Sequence, residues 1–214
     1  MTEIFSVNTI FFNIFDYQVS YLEFVGTVLY FASVWLIARR NMWTWPVGII
    51  SVILYMLLFY QFALYSDVFE QGYYLVASAY GWWAWSRGSR GEKVATGFSK
   101  PSVIALWAGV TLVIGVALGL TMSQVHDWLP LVFPEPAALP MLDAITTVMS
   151  LSAMWLLTLR RAESWVYWII VDIAAIYVYF TKGIAFVGMQ YVALSFMAIY
   201  GFLAWRRNAK KAAA

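Results

Sequence analysis

The chain has 214 residues, of which 63% are hydrophobic, 19% aromatic and 11% charged. Soluble domains carry about a quarter of their residues charged, and a chain this short has too little interior to hide 12 Trp, 14 Tyr and 15 Phe. The absence of cysteine excludes disulfides and thiolate metal or redox chemistry, and a formal charge of +2 is no nucleic-acid signal in itself, because the placement of the charges decides its meaning.

A mean hydropathy of +0.75 belongs to a membrane protein. The first stretch, "IFSVNTIFFNIF", is too short to span and has no basic leader, so it reads as an interfacial helix rather than a signal peptide. Seven apolar runs follow, at residues 20–38, 45–62, 67–85, 101–121, 140–159, 165–181 and 185–205. Each is long enough to cross a hydrocarbon layer of roughly 30 Å as a helix.

Basic residues follow the first, third, fifth and seventh runs: Arg39 and Arg40; Arg87, Arg90, Lys93 and Lys100; Arg160 and Arg161; Arg206, Arg207, Lys210 and Lys211. Only Lys182 lies elsewhere. Alternate loops therefore carry the positive charge, which predicts an N-out, C-in topology. The stretch "MSQVHDWLPLVFPEPAALP" has no Lys or Arg, as an external loop should.

Sliding residues 22–85 by 120 positions onto 142–205 gives 14 identities in 64 positions without a gap. Apolar bias alone yields some of these, but Arg40/Arg160, Trp45/Trp165, Gly81/Gly201 and Trp85/Trp205 are harder to obtain by chance. The expected organisation is an N-terminal interfacial segment (1–19), a three-helix unit (20–85), a basic loop with a linking helix and an external loop (86–139), the same unit again (140–205) and a basic tail (206–214). One intervening helix gives both units the same orientation. Parallel repeats of this kind occur in transporters, with the substrate near the midplane between the halves.

Residues 163–180 hold the sharpest local signal. In "ESWVYWIIVDIAAIYVYF" (163–180), Trp165, Trp168, Asp172, Ala175 and Tyr179 fall on one helical face. Asp172 lies about 10 Å deeper than Trp165 at 1.5 Å per residue. An ionised carboxylate at that depth costs at least about 2.5 kcal/mol, so it must face a cavity or a partner. A permanent cation held against aromatic faces fits, and Lys182 is an alternative partner.

In the third run, Glu70 and Gln71 stand with Tyr73, Tyr74 and Ala77, and the 120-residue shift brings Glu70 onto Gln190. Polar groups facing lipid would go unsatisfied, so these are expected to point inward, although Glu70 also suits an outer rim. Glu23 and Asp143 read as charges favoured by the helix dipole at the starts of the first and fifth runs. Trp82, Trp83, Trp85 and Trp205 read as interfacial anchors, with Trp165 divided between anchor and pocket.

The segment "WTWPVGIISVILYMLLFYQFALYSDVFEQGYYLVASAYGWWAW", with the later "WVYW", resembles the PnuC-type (pyridine nucleotide uptake) family of bacterial vitamin transporters, over nearly the whole chain. The resemblance implies an all-α integral membrane protein of seven helices in a 3+1+3 parallel repeat like that of SWEET proteins. It also implies a homotrimer in the inner membrane and facilitated uptake of nicotinamide riboside, drawn along by phosphorylation of the vitamin in the cytoplasm. Some relatives move thiamine. No cofactor is expected for this chain. The expected substrate residues are Trp165, Trp168, Asp172, Gln71, Glu70, Tyr74, Gln190 and Tyr179. Transporters of nicotinamide riboside tend to carry Asn where this chain has Asp172, and an apolar residue often stands in place of Glu70. A carboxylate in place of the amide keeps thiamine open beside nicotinamide riboside as the cargo.

Two other classes are disfavoured by the sequence. An enzyme would need an acid-base or ligand set, whereas the single His126 has no histidine partner and there is no Gly-rich phosphate loop with Lys and Ser/Thr. A receptor or scaffold would have no reason for the internal duplication.

Overall fold

The computed structural model describes residues 5–14, 17–62, 65–87, 95–129 and 138–213. Two short strands, β1 (Ile10–Ile14) and β2 (Tyr17–Ser20), precede the helices α1 (Tyr21–Ala38), α2 (Thr44–Gln61), α3 (Tyr65–Ser86) and α4 (Pro101–Met122). A single turn, α5 (Val125–Trp128), is followed by α6 (Pro140–Thr158), α7 (Ser164–Thr181) and α8 (Ala185–Ala213). Among the described residues, α1, α2, α4, α6, α7 and α8 are long and apolar enough to span a membrane. The 22 residues of α3 are long enough too, but Asp67, Glu70 and Gln71 lower its apolarity.

The N-terminal segment is a correction. Where an interfacial helix was expected, β1 and β2 pair antiparallel, with Phe12 opposite Val19 and Ile14 opposite Tyr17. Aromatic and β-branched side chains suit a pleated ladder, and here the cross-strand pairing decides for it. The hairpin leads directly into α1, where Ser20 caps the helix by accepting from the Glu23 N–H at 3.2 Å. Tyr17 donates to the Glu23 carboxylate at 2.8 Å. Burial, reinforced by that carboxylate, pushes the Tyr17 phenol well above its ordinary range and keeps it a donor.

Neighbouring helices form a closed circuit in the order α1, α2, α3, α6, α7, α8 and back to α1, with α4 packed outside on α6. Small residues admit α4 closely, and Thr111 on α4 hydrogen-bonds Ser152 on α6 at 2.9 Å.

Two turns 120 residues apart are built alike. After α1, Arg40 adopts a left-handed φ of 59°, its N–H donates to Ile37 O, and Asn41 N–H reaches Leu36 O. After α6, Arg160 has φ 62°, donates to Leu157 O, and Arg161 N–H reaches Leu156 O. This double bond back over the last turn is the Schellman stop, usually made by glycine; an arginine at that position strains the backbone by roughly 1–2 kcal/mol, and the chain does it twice.

The next helices start with Trp45 and Trp165, both 2% exposed. Trp45 lies over Gly81 and Trp165 over Gly201, where a side chain on either glycine would collide with the indole. Trp85 and Trp205, both 0% exposed, complete the main core with Ile37, Ala38, Leu157, Ala162 and Ala198. This corrects the anchor reading of Trp85 and Trp205: their N–H groups bond to Thr158 O and Ile37 O, each at 3.0 Å, inside the bundle. Trp82 and Trp83 are half exposed, as anchors would be.

Candidate functional site

On α7 the expected face is the inward one. Asp172 is 4% exposed, while Val166, Ile170, Ile173 and Tyr177, on the other side of the helix, are open to the surroundings. The Asp172 Oδ2 atom is buried without a hydrogen-bond partner among the described residues. Lys182 is exposed at the end of α7, ten residues and so about 15 Å along the axis from Asp172, and the ion-pair alternative falls on that distance.

Around Asp172 the bundle is lined with phenols. Tyr30 on α1 and Tyr191 on α8 both lie within electrostatic reach of its carboxylate. Tyr30 also lies within reach of Glu70 on α3 and Tyr55 on α2. Tyr179 stacks on Tyr191 with ring centres 5.4 Å apart and planes 12° apart. Tyr74 donates to Glu70 Oε1 at 2.6 Å, Tyr73 to Leu151 O on α6 at 2.8 Å, and Tyr55 is hydrogen-bonded to Thr27 at 2.8 Å. Five helices thus bring polar groups to one interior region, whose acidic side chains include Asp172 and Glu70.

The expected residues do not all meet. Glu70, Tyr74, Asp172 and Tyr179 come together with Tyr30, Tyr55 and Tyr191. Trp165 is enclosed in the tryptophan core, while half-buried Trp168 packs between that core and the cluster of Ala153, Leu156 and Tyr167. Gln71 is half-buried on α3. Gln190 lines a separate cavity of about 300 Å³ under the hairpin, with Phe12, Val19, Glu23, Thr27 and Phe186.

Sequence reading missed Tyr30, Tyr55 and Tyr191. The available signal was a hydroxyl in the middle third of an apolar helix, which needs a polar neighbour when buried.

Chemically, the side chains gathered here suit a flat aromatic molecule bearing positive charge: a carboxylate can supply counter-charge, and tyrosines supply both ring faces and hydroxyl donors. A polytopic helical bundle with such a polar centre has the build of a membrane transporter. The chain belongs to the nicotinamide mononucleotide transporter family, whose model matches residues 20–207. It is 27% identical over 222 residues to the nicotinamide riboside transporter PnuC of Escherichia coli K12, covering 91% of this chain and 89% of the relative. It is 30% identical over 195 residues to the riboflavin/roseoflavin transporter RibM of Streptomyces davaonensis, covering 91% and 88%. The fold is that of the crystal structure of the vitamin B3 transporter PnuC, with a TM-score of 0.68 at 24% identity over 89% of this chain and 83% of that one. The protein is therefore a multi-pass transporter of the bacterial inner membrane and not an enzyme.

Proposed function

We propose that the chain imports nicotinamide riboside by facilitated diffusion, with Asp172 as counter-charge to the pyridinium. The observation that carries this reading is the buried Asp172 carboxylate with an unpartnered oxygen among tyrosines. A fixed pyridinium cannot donate a hydrogen bond, so recognition rests on charge and on ring faces, each contributing roughly 0.5–2 kcal/mol. Glu70, Tyr74 and Tyr179 offer hydrogen bonds to the ribose and carboxamide, and Trp165 and Trp168 support the aromatic wall; Gln71 on α3 and Gln190 beside the hairpin cavity would meet the substrate only on its way in. Riboflavin, named for one relative, has no fixed positive charge and so gives a buried carboxylate no cation to balance. Thiamine, with its thiazolium, remains the second reading because the same carboxylate would serve it.

In this reading the seven long helices cross the membrane as two parallel three-helix units, 20–85 and 140–205, joined by α4 in a SWEET-like 3+1+3 plan, and the transporter assembles as a homotrimer. The repeated arginine stops and the paired Trp-on-Gly contacts support the duplication. The distribution of basic residues supports N-out and C-in. A cytoplasm-active reporter should give signal when fused to the C-terminus and none within residues 122–139; the opposite pattern overturns the orientation.

Uptake of labelled nicotinamide riboside by cells expressing the chain tests the cargo. Trp168→Ala should weaken half-saturation about tenfold, the loss of one aromatic face, whereas Trp82→Ala, at the exposed boundary, should leave it unchanged. Equal losses in both variants would mean that Trp168 acts only through the fold.

A further inference from the structure

The contacts joining the two three-helix units are densest at one end of the bundle, although Tyr73 on α3 also donates to Leu151 O near the middle of α6 at 2.8 Å. Trp85 donates to Thr158 O and Trp205 to Ile37 O, each indole reaching from one unit to the end of a helix in the other. Trp35 stacks on Tyr200 at 5.2 Å and 17°, and Tyr80 on Trp155 at 5.2 Å and 15°. Arg160 donates to Ala84 O at 2.6 Å. All of these lie at the ends of α1, α3, α6 and α8 that carry the basic residues.

At the opposite end the seam between α1 and α8 is bridged by Tyr17 against Phe186, with ring centres 5.4 Å apart, beside the 300 Å³ cavity. Within each unit, by contrast, the tryptophans are locked: Trp45 meets Trp85 edge-on at 5.1 Å, Trp165 meets Trp205 at 5.7 Å, and Gly81 and Gly201 receive the inner indoles. Each unit is thus knit by its own Trp-on-Gly packing, and a small, duplicated set of contacts ties one to the other, with Trp85 and Trp205 meeting across the seam at 6.1 Å.

We infer that Trp85 and Trp205, with the stacked pairs Trp35/Tyr200 and Tyr80/Trp155, form the cytoplasmic gate of the transporter, drawn closed here. This rests on the reading of two parallel units with the basic ends inside. The chemistry suits repeated opening. The acceptors are carbonyls near helix ends, and an indole N–H and a carbonyl that part as water enters an opened seam both regain partners from it. Each bond is of modest net strength, so thermal motion can break the pair. The rigid Trp-on-Gly contacts keep each unit intact while the seam opens.

The chain contains no cysteine, which allows a clean accessibility test. Ser150→Cys places a thiol at a buried α6 position that reaches Tyr74 in the central region. Its labelling by membrane-impermeant methanethiosulfonate ethyltrimethylammonium is followed in membrane vesicles of each orientation. Adding Trp85→Phe and Trp205→Phe keeps aromatic rings but removes both donors, and cytoplasmic labelling should quicken about tenfold as the closed state loses two bonds. Tyr80→Ala with Tyr200→Ala, which spares the buried indoles, should act in the same direction and decides the matter if the tryptophan variant fails to fold. Labelling rates unchanged from both sides in a folded variant would overturn the gate. Absence of nicotinamide riboside uptake by the unmodified chain, alongside a shifted labelling rate, would instead overturn the cargo and leave the gate standing.

Discussion

Asp172→Asn should reduce the preference of the transporter for nicotinamide riboside over uncharged nicotinamide by tenfold or more, at roughly 1.4 kcal/mol per tenfold. The carboxylate is buried and one of its oxygens lacks a partner, so a bound cation is the group that would offset its burial. The amide keeps the shape and removes the charge, so uncharged ligands should bind nearly as before and the loss should fall on charged ones. Calorimetric titration of purified protein with nicotinamide riboside, thiamine and nicotinamide separates these terms. A variant that loses thiamine while gaining nicotinamide riboside would identify thiamine as the native cargo. Unchanged binding of all three would assign Asp172 to the helix bundle alone.

Gly201→Ala should unfold more easily than the parent, because its new methyl would lie 2.6 Å from Trp165 Cζ2, deep inside any van der Waals contact. The indole is 2% exposed and cannot swing clear. Overpacking of this kind typically costs about 1–3 kcal/mol. Gly81→Ala should do the same against Trp45 in the other unit. Gly109→Ala on α4, where nothing lies within 4 Å, is the control; it should be neutral or slightly stabilising, since Ala is the better helix former. Thermal melts in detergent, read by tryptophan fluorescence, would show the difference. A Gly201→Ala midpoint equal to that of Gly109→Ala would mean that the Trp165 packing is not tight. Restoration of the midpoint by Trp165→Phe in the Gly201→Ala background would tie the loss to that one contact.

The long helices were legible because hydrocarbon imposes a length: the runs beginning at 20, 45, 67, 101, 140, 165 and 185 fall within a few residues of α1, α2, α3, α4, α6, α7 and α8. Turn chemistry was less legible, since nothing in Arg40 or Arg160 announces a left-handed stop. The N-terminal segment failed because its aromatic residues suit an interfacial helix and a hairpin alike, and the choice falls to cross-strand pairing that composition does not encode. Trp85 and Trp205 were misplaced for a related reason. A tryptophan near a membrane boundary has two homes, the lipid interface and the core between helices, and only the glycine-backed partners of another helix distinguish them. In the centre, Asp172 stood out because a charge in an apolar run demands an explanation. Tyr30, Tyr55 and Tyr191 did not, because tyrosine is at ease in both settings until its neighbours are known.

The most direct measurement is flux into protein-containing liposomes, with labelled nicotinamide riboside outside and no ion gradient, for the wild type and Asp172→Asn. The account predicts saturable entry of nicotinamide riboside in the wild type, competed by excess unlabelled nicotinamide riboside and not by riboflavin, and reduced discrimination against uncharged nicotinamide in the variant. Wild-type liposomes that take up riboflavin and exclude nicotinamide riboside would contradict it.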